Sequence, residues 1–443
     1  MTTPPTCRLV TLGCKVNQYE TQYVKEMLES AGYVEAADGR PADLCVVNTC
    51  TVTQEGDAKS RQTVRRLHKD NPGAAVVVMG CYATRDPEAV RRLPGVTQVV
   101  VDKSRLVESF AEFGVVSAPA GVSRFDGHQR AFVKVQDGCF LHCSYCIIPQ
   151  VRPTVRSRPM DEIAEEVSRL VDNGHQEIVL TGVHLGHYGI DLSRGRPKSE
   201  WTRLWLLLRR LARLPGDFRI RLSSLEAAEA RDDLISVLAE EDRICPHLHL
   251  CLQSGSDAIL ARMKRRYRVA GFLERCRRIR AALDRPALST DVIVGFPGET
   301  DADFDATCRA VRAAGFMRIH VFSYSPRQGT AAADFAETVP PSVVAERRDR
   351  LRRLEQEQAD AYLKGLVGRR LDVLVEGEEA GRPGFVRGTA CRYVPVVFRG
   401  HAPALIRRRV PVRATAVAGD VLLGEPVEEK GRRGKGEIGS VSL

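Results

Sequence analysis

No run of 18 or more apolar residues occurs in the 443-residue sequence, so nothing in it is expected to span a membrane. The start, Met1-Thr2-Thr3-Pro4-Pro5, lacks a basic stretch followed by an apolar one, which argues against a secretory signal. These two absences predict a cytoplasmic protein with no membrane partner. An even complement of cysteines is missing as well: there are 13. In a cytoplasmic chain that points to metal-binding or catalytic thiolates rather than a disulfide framework. What is there in quantity is apolar and basic. The chain is 43% hydrophobic, ample for buried cores, and at ~150 residues per domain it should hold two to four domains. Its net charge of +10 suits a polyanionic partner, although a generic basic protein fits the charge equally well.

The stretch with the most chemistry is 136–149, where Cys139, Cys143 and Cys146 follow a C-x3-C-x2-C spacing. Three thiolates this close can hold one side of an iron–sulfur cube. The fourth iron then lacks a protein ligand and can take a substrate or cosubstrate. A structural zinc site and three unrelated thiols are the other readings. Zinc normally takes a fourth protein ligand, which His142, inside the loop, could supply only awkwardly.

Over residues 1–117, segments 8–13, 44–48 and 75–79 read as strands. Segments 19–31 and 57–69, and one starting at Pro87, read as helices, and 15–18 as a polar turn. Repeated strand–loop–helix units imply a parallel sheet whose carboxyl ends share one edge, where ligands bind. Cys14, Cys50 and Cys81 each lie just past such an end, so a second three-thiolate site is one reading and chance loop thiols the other. Cys7 and Cys45 read as buried structural residues.

Residues 118–129 read as a linker. From 130 to 340, six strands (131–135, 177–180, 219–224, 247–252, 288–294 and 318–322) alternate with helices, as in a partial (β/α)6 barrel with ligands at the carboxyl ends. Thr181-Gly182-Val183, Ser224 with Glu226, Gln253-Ser254-Gly255-Ser256 and Gly295-Phe296-Pro297-Gly298-Glu299 fall at those ends. Cys245, Cys251, Cys276 and Cys308 read as structural; His184 and His187 could be ligands, but solvated or structural histidines are the better reading. Arg156, Arg158, the run 264–268 and Arg275, Arg277, Arg278 and Arg280 are candidates for phosphate contact. A charged helix over 341–364 carries Arg347, Arg348, Arg350, Arg352 and Arg353. Short strands with turns fill 365–427, with Arg407-Arg408-Arg409 as the densest basic patch. Segment 428–443 reads as a disordered tail.

C-x3-C-x2-C with Tyr145 before its last cysteine is the signature of radical S-adenosylmethionine (SAM) enzymes. The segments 12–21, 47–53 and 79–83 resemble the three cysteine motifs of the methylthiotransferase N-terminal domain. The barrel motifs, with 322–330, resemble those of the same family, and 365–427 looks like its TRAM module, a small all-β, OB-like barrel that contacts RNA. The resemblance covers nearly the whole chain. Ala227, Cys251 and Pro153 depart from the family pattern without removing a ligand.

The resemblance implies an α/β protein: a Rossmann-like N-terminal domain, a partial (β/α)6 radical SAM barrel and the TRAM barrel. It implies two 4Fe–4S clusters, on Cys139, Cys143 and Cys146 and on Cys14, Cys50 and Cys81, with SAM near Tyr145, Gly182, Ser224, Glu226, Gln253 and Gly295. The first cluster would cleave SAM to a 5′-deoxyadenosyl radical, which takes the C2 hydrogen of an adenine. The second would supply sulfur, and a second SAM the methyl group. The motif 13–21 looks most like the branch that methylthiolates N6-threonylcarbamoyladenosine at position 37 of tRNA, next to the anticodon. Implied partners are the tRNA anticodon stem-loop and a reductant such as flavodoxin or ferredoxin, with the chain a monomer. The sulfur donor is not indicated. Rival readings are N6-isopentenyladenosine tRNA or a ribosomal-protein aspartate as substrate, and a non-catalytic zinc- or RNA-binding protein.

Overall fold

The computed structural model describes residues 3–427; the predicted tail, 428–443, lies outside them. Two compact units are present, Met1–Ala359 and Asp360–Leu443.

The first unit opens with β1 (Thr6–Thr11), α1 (Lys15–Ser30), β2 (Val34–Glu35), β3 (Leu44–Thr49), α2 (Gln54–Asp70), β4 (Ala75–Gly80), α3 (Cys81–Arg85), α4 (Pro87–Arg91), β5 (Val96–Val99) and α5 (Leu106–Ser109). The strands form one parallel sheet in the order β2-β1-β3-β4-β5. Every residue of β3 is buried, as expected of a central strand covered on both faces. The polar run 15–18 is helix, not turn. Gln18 N donates to Cys14 O, closing the first helical bond. The Asn17 side chain donates to Leu12 O and Thr49 O, outside its own helix. Its turn-forming tendency is thereby spent on the sheet edge. Helix α2 starts where Thr53 Oγ1 accepts from Gly56 N at 3.0 Å. Glu55 and Asp57 in its first turn and His68 and Lys69 in its last suit the helix dipole.

Residues 118–129 form neither helix nor strand, yet Val122 and Phe125 are buried in the apolar core of the segment that follows. That segment runs β6 (Ala131–Asp137), α6 (Ile148–Val151), β7 (Arg156–Ser157), α7 (Met160–Asp172), β8 (Glu177–Gly182), α8 (Leu204–Ala212), β9 (Arg219–Leu222), β10 (Ser224–Leu225) and α9 (Asp232–Glu240). It continues through β11 (His247–Leu250), α10 (Asp257–Arg262), α11 (Val269–Ala282), β12 (Ala287–Val294), α12 (Asp301–Ala314), β13 (Arg318–Ser323) and α13 (Pro341–Lys364). The six predicted strands are all present. They form two sheets, β7-β6-β8-β9 and β10-β11-β12-β13, parallel except for β7. An isolated bridge joins Ile220 of β9 to Ile244, in the segment leading into β11. The wall is a partial barrel. Inside it the buried Glu177 carboxylate takes Arg219 Nε at 2.6 Å, Arg221 Nε at 2.7 Å and Arg130 Nε at 2.9 Å.

In the second unit, β14 (Arg370–Glu378), β15 (Phe385–Ala390), β16 (Pro395–Arg399), β17 (Arg409–Ala418) and β18 (Val421–Pro426) close a barrel in the order β14-β15-β16-β18-β17. Strand β15 alternates strictly, with Val386, Gly388 and Ala390 inward. A Cβ on Gly388 would stand 2.2 Å from Leu374 O, so the small barrel closes only over a glycine. Arg408 is exposed, while Arg409 Nε lies 3.3 Å from an Asp372 oxygen.

Candidate functional site

The first thiol group follows from sheet topology. In the order β2-β1-β3-β4-β5 the chain leaves β1 toward one edge and β3 toward the other. Their carboxyl ends therefore flank the switch-point crevice. Cys14 caps α1 in extended conformation just past β1, Cys50 directly follows β3, and Cys81 opens α3 directly after β4. Two glycines permit the approach. Gly13, at φ +100°, would place a Cβ 2.9 Å from Cys50 Cβ, and Gly80, at φ +101°, one 2.4 Å from Thr49 N and O. Burial raises the Cys50 thiol, and the neighbouring Cys81 and Cys14 thiols raise it further. Cys14 and Cys81 thus both stand near Cys50.

The second thiol group lies on the loop after β6. Gly138, at φ +77°, lets that loop turn where a Cβ would meet Thr154 O at 2.0 Å. Cys139 N donates to Arg152 O, and Cys146 N to Cys143 O, each at 3.1 Å. Ser144 anchors the loop, its N donating to Met263 O and its Oγ to Arg262 O. Burial pushes the Cys146 thiol up to about 12, and Cys143 and Cys139 add to it. The Tyr145 ring packs edge-on against Phe296, with centroids 6.4 Å apart.

All six cysteines are free of disulfides. Polar N–H groups point at three of their sulfurs: Arg152 Nε at Cys81 Sγ (3.3 Å), Leu141 N at Cys139 Sγ (3.4 Å) and Arg265 Nη1 at Cys143 Sγ (3.4 Å). Such donors stabilise a thiolate or a cluster sulfur far more than a neutral thiol.

Arg152 joins the two groups. It is buried, and besides Cys81 it reaches Glu20 Oε1 (2.8 Å), Asp137 Oδ1 (2.8 Å) and Asn17 Oδ1 (3.1 Å). Glu20 and Asn17 stand on α1 behind Cys14, and Asp137 stands just before Cys139. Lys134 and Lys103 also contact Glu20, at 2.8 and 3.0 Å. Desolvation opposes ionisation of Glu20, but Arg152, Lys103 and Lys134 hold it well below the usual carboxylate range. A second tie lies on the Cys50 side. There Arg327, from the loop after β13, donates to Asp57 Oδ2 (2.6 Å) and Thr51 Oγ1 (3.0 Å).

The remaining predicted residues sit at the carboxyl ends of the barrel strands. Gly182 packs on Gln136, whose Oε1 accepts from His184 N at 2.8 Å. Ser224 is exposed. Glu226 lies 2.7 Å from Arg265 Nη2. Gln253 adopts φ +63°, which strains a non-glycine residue. Gly295 N donates to Glu299 Oε2 at 2.7 Å, and a Cβ at Gly295 would meet Val344 of α13 at 2.4 Å. Tight packing and a positive φ therefore already call for glycine at 295.

Some expectations change. His187 is buried and His184 half-buried, so of the two readings, solvated or structural, both fit the structural one. Nδ1 of His184 is 3.6 Å from Cys139 Sγ, and its Nε2 contacts Glu229. Burial lowers the His184 imidazole, but the Cys139 sulfur and the Glu229 carboxylate outweigh it and take it up to about 9. His187 stacks between His184 and Phe140, with centroids 3.6 and 4.2 Å apart. Arg265, expected to face phosphate, is buried between Glu226 and Cys143. Arg275, Arg277 and Arg278 are paired with Asp232 or Glu274, and Arg280 donates to Gly315 O. Burial and pairing are invisible in a basic run. In the sequence Arg327 stands out only as part of the segment 322–330, Arg265 only as part of a basic run, and Arg152 not at all.

Among known proteins, family models match residues 6–102 (Uncharacterized protein family UPF0004), 133–311 (Radical SAM superfamily) and 364–427 (TRAM domain). A barrel with three cysteines on the loop after its first strand, preceded by a flavodoxin-ordered sheet, thus falls in a defined class. The chain belongs to the radical SAM tRNA methylthiotransferase family. It is 38% identical over 384 residues to the threonylcarbamoyladenosine tRNA methylthiotransferase MtaB of Thermotoga maritima, covering 84% of this chain and 86% of that one. It is 38% identical over 409 residues to MtaB of Bacillus subtilis (88% and 89%). It is also 37% identical over 402 residues to the tRNA-2-methylthio-N(6)-dimethylallyladenosine synthase of a Parafrankia species (86% and 80%). The cobalamin- and 4Fe–4S-bound radical SAM methyltransferase TsrM of Kitasatospora setae shares the fold at TM-score 0.54 and 15% identity, over 73% of this chain and 77% of that one. Family membership implies a 4Fe–4S cluster and SAM as cofactors. Among the described residues no helix is long and apolar enough to cross a membrane.

Proposed function

We propose that this chain methylthiolates C2 of N6-threonylcarbamoyladenosine at position 37 of tRNA, in the cytoplasm and as a monomer. In this reading Cys139, Cys143 and Cys146 hold the SAM-cleaving 4Fe–4S cluster, and Cys14, Cys50 and Cys81 hold a second. Tyr145, Gly182, Ser224, Glu226, Gln253 and Gly295 line the SAM side. The bound cofactors supply a carbon-centred radical, sulfur and a methyl group, which an aromatic C–H requires because it offers no practicable acid–base route. Residues 1–117 carry the sulfur side, 130–340 the radical side, and 365–427 the tRNA contact. Flavodoxin or ferredoxin is the class of reductant.

The observation that carries the reading is the Arg152 network, one buried guanidinium reaching Cys81, the Cys14-bearing helix and Asp137 beside Cys139. Two thiol groups tied this way can present their open sides to one shared pocket. Arg265 holds Glu226 and Cys143 in register, and His184 braces Cys139 from Glu229. The choice of threonylcarbamoyladenosine rests on coverage. The chain spans 86–98% of the MtaB relatives. It spans 75–80% of the dimethylallyladenosine synthases.

Mass spectrometry of tRNA nucleosides from a strain lacking the gene tests this. We expect loss of 2-methylthio-N6-threonylcarbamoyladenosine with accumulation of its unthiolated precursor. Loss of the dimethylallyl derivative instead would move the substrate to the other branch.

A further inference from the structure

Below the carboxyl ends of β11 and β12 lies a cluster that the reaction above does not use. His249 and Cys251, two residues apart, face the same side of their strand. His249 is in register with Ser289 on β12, which brings Asp291, two residues further on, level with Cys251. His249 Nε2 is 3.1 Å from Asp291 Oδ1, and Cys251 Sγ is 3.7 Å from Asp291 Oδ2. The imidazole nitrogen, thiol sulfur and carboxylate oxygen all lie within 4.8 Å of one another.

We propose that His249, Cys251 and Asp291 bind one divalent metal ion of the zinc class. Three points favour a metal over a self-contained hydrogen-bonded triad. First, two donors each ~2.0 Å from a tetrahedral ion stand ~3.3 Å apart, and a thiolate at ~2.3 Å stands slightly farther from its oxygen neighbour. The observed spacings need little adjustment to meet that geometry. Second, Ser289 Oγ lies 3.0 Å from His249 Nδ1. That contact fixes the ring with Nε2 turned to the cluster, as second-shell partners of metal-bound histidines do. Third, imidazole with thiolate selects zinc over magnesium or calcium. His249 is 9% exposed, and the Asp291 side chain 24%. Tyr267 OH donates to Cys251 O (2.8 Å) and Leu252 O (2.7 Å), holding the strand end in place. Three protein ligands leave one coordination position for a water or an anionic ligand.

The test uses the full-length, anaerobically reconstituted protein, dialysed against a chelator and titrated with Zn2+. Elemental analysis should find one zinc per chain beyond the cluster iron. The zinc absorption-edge fine structure should show one sulfur at ~2.3 Å and nitrogen or oxygen at ~2.0–2.1 Å. Cys251→Ala should lose the sulfur shell. Asp291→Asn should cut zinc retention. Ser289→Ala should weaken binding by roughly 10- to 100-fold with iron content unchanged. Zinc surrounded by two or three sulfurs would place it on cluster cysteines and overturn the proposal, as would no bound zinc in the native chain. Should Cys251→Ala fail to fold, the native spectrum and Ser289→Ala still decide. Zinc binding is read independently of nucleoside products, so this proposal and the proposed function can fail separately.

Discussion

The guanidinium of Arg152 reaches a thiol, an amide and two carboxylates from three separate stretches of chain. Replacing it by methionine leaves Glu20 buried with only its lysines. Breaking such a buried pair costs about 3–5 kcal/mol, so Arg152→Met should lower the melting temperature and the iron retained per chain together. Arg152→Lys keeps the charge but loses the planar fork, and should recover only part of either. Unchanged iron content in both variants would remove Arg152 from the site. At this scale the places of the six cysteines, three just past strand ends and three on one loop, were legible, because spacing and strand pattern carry that information. Arg152 was not, since its partners Asn17 and Glu20 lie 135 and 132 residues away in sequence. Arg265 was legible only as charge. Whether an arginine in a basic run faces phosphate or a buried carboxylate depends on which face of the chain folds inward.

Element by element, the barrel wall depends on one buried charge. Desolvation opposes ionisation of Glu177, but Arg219, Arg221 and Arg130 outweigh it and hold the carboxyl far below its ordinary value. The unfolded chain therefore binds a proton first as pH falls. The contribution is complete above about pH 4.3 and shrinks steadily below it, toward the folded value. Glu177→Gln should be less stable at neutral pH by about 3–5 kcal/mol. Its stability should also fall less steeply between pH 4 and pH 2, as read by denaturant unfolding across pH. An unchanged acid slope would assign the acid sensitivity elsewhere. The long apolar strands β3, β4 and β12 were legible from composition. The two-residue strands β2, β7 and β10 were not, because so short a pairing is set by its neighbour and carries no period of its own. The start of α1 was hidden for a different reason: the polar side chain of Asn17 serves the sheet edge instead of breaking the helix.

For the whole molecule, the proposed function gives the tRNA contact to the second unit. Its exposed Arg408 is the residue to probe first. Arg408→Ala should weaken tRNA binding at low salt and reduce the slope of log affinity against log salt by about one, with little change among tRNA sequences. An unaltered slope would take Arg408 out of the interface. The order of the main strands and helices was legible because each stretch has its own alternation of elements. The packing of 118–129 was not, since only tertiary contact shows that Val122 and Phe125 are core residues. The central claim is a division of labour between two thiol groups. One anaerobic assay with SAM, reductant and unthiolated tRNA tests it, quantifying 5′-deoxyadenosine and the 2-methylthio nucleoside separately. Cys139→Ala should abolish both products, and Cys50→Ala should keep 5′-deoxyadenosine while losing the methylthio nucleoside. Methylthio product from Cys50→Ala at the native level would contradict it.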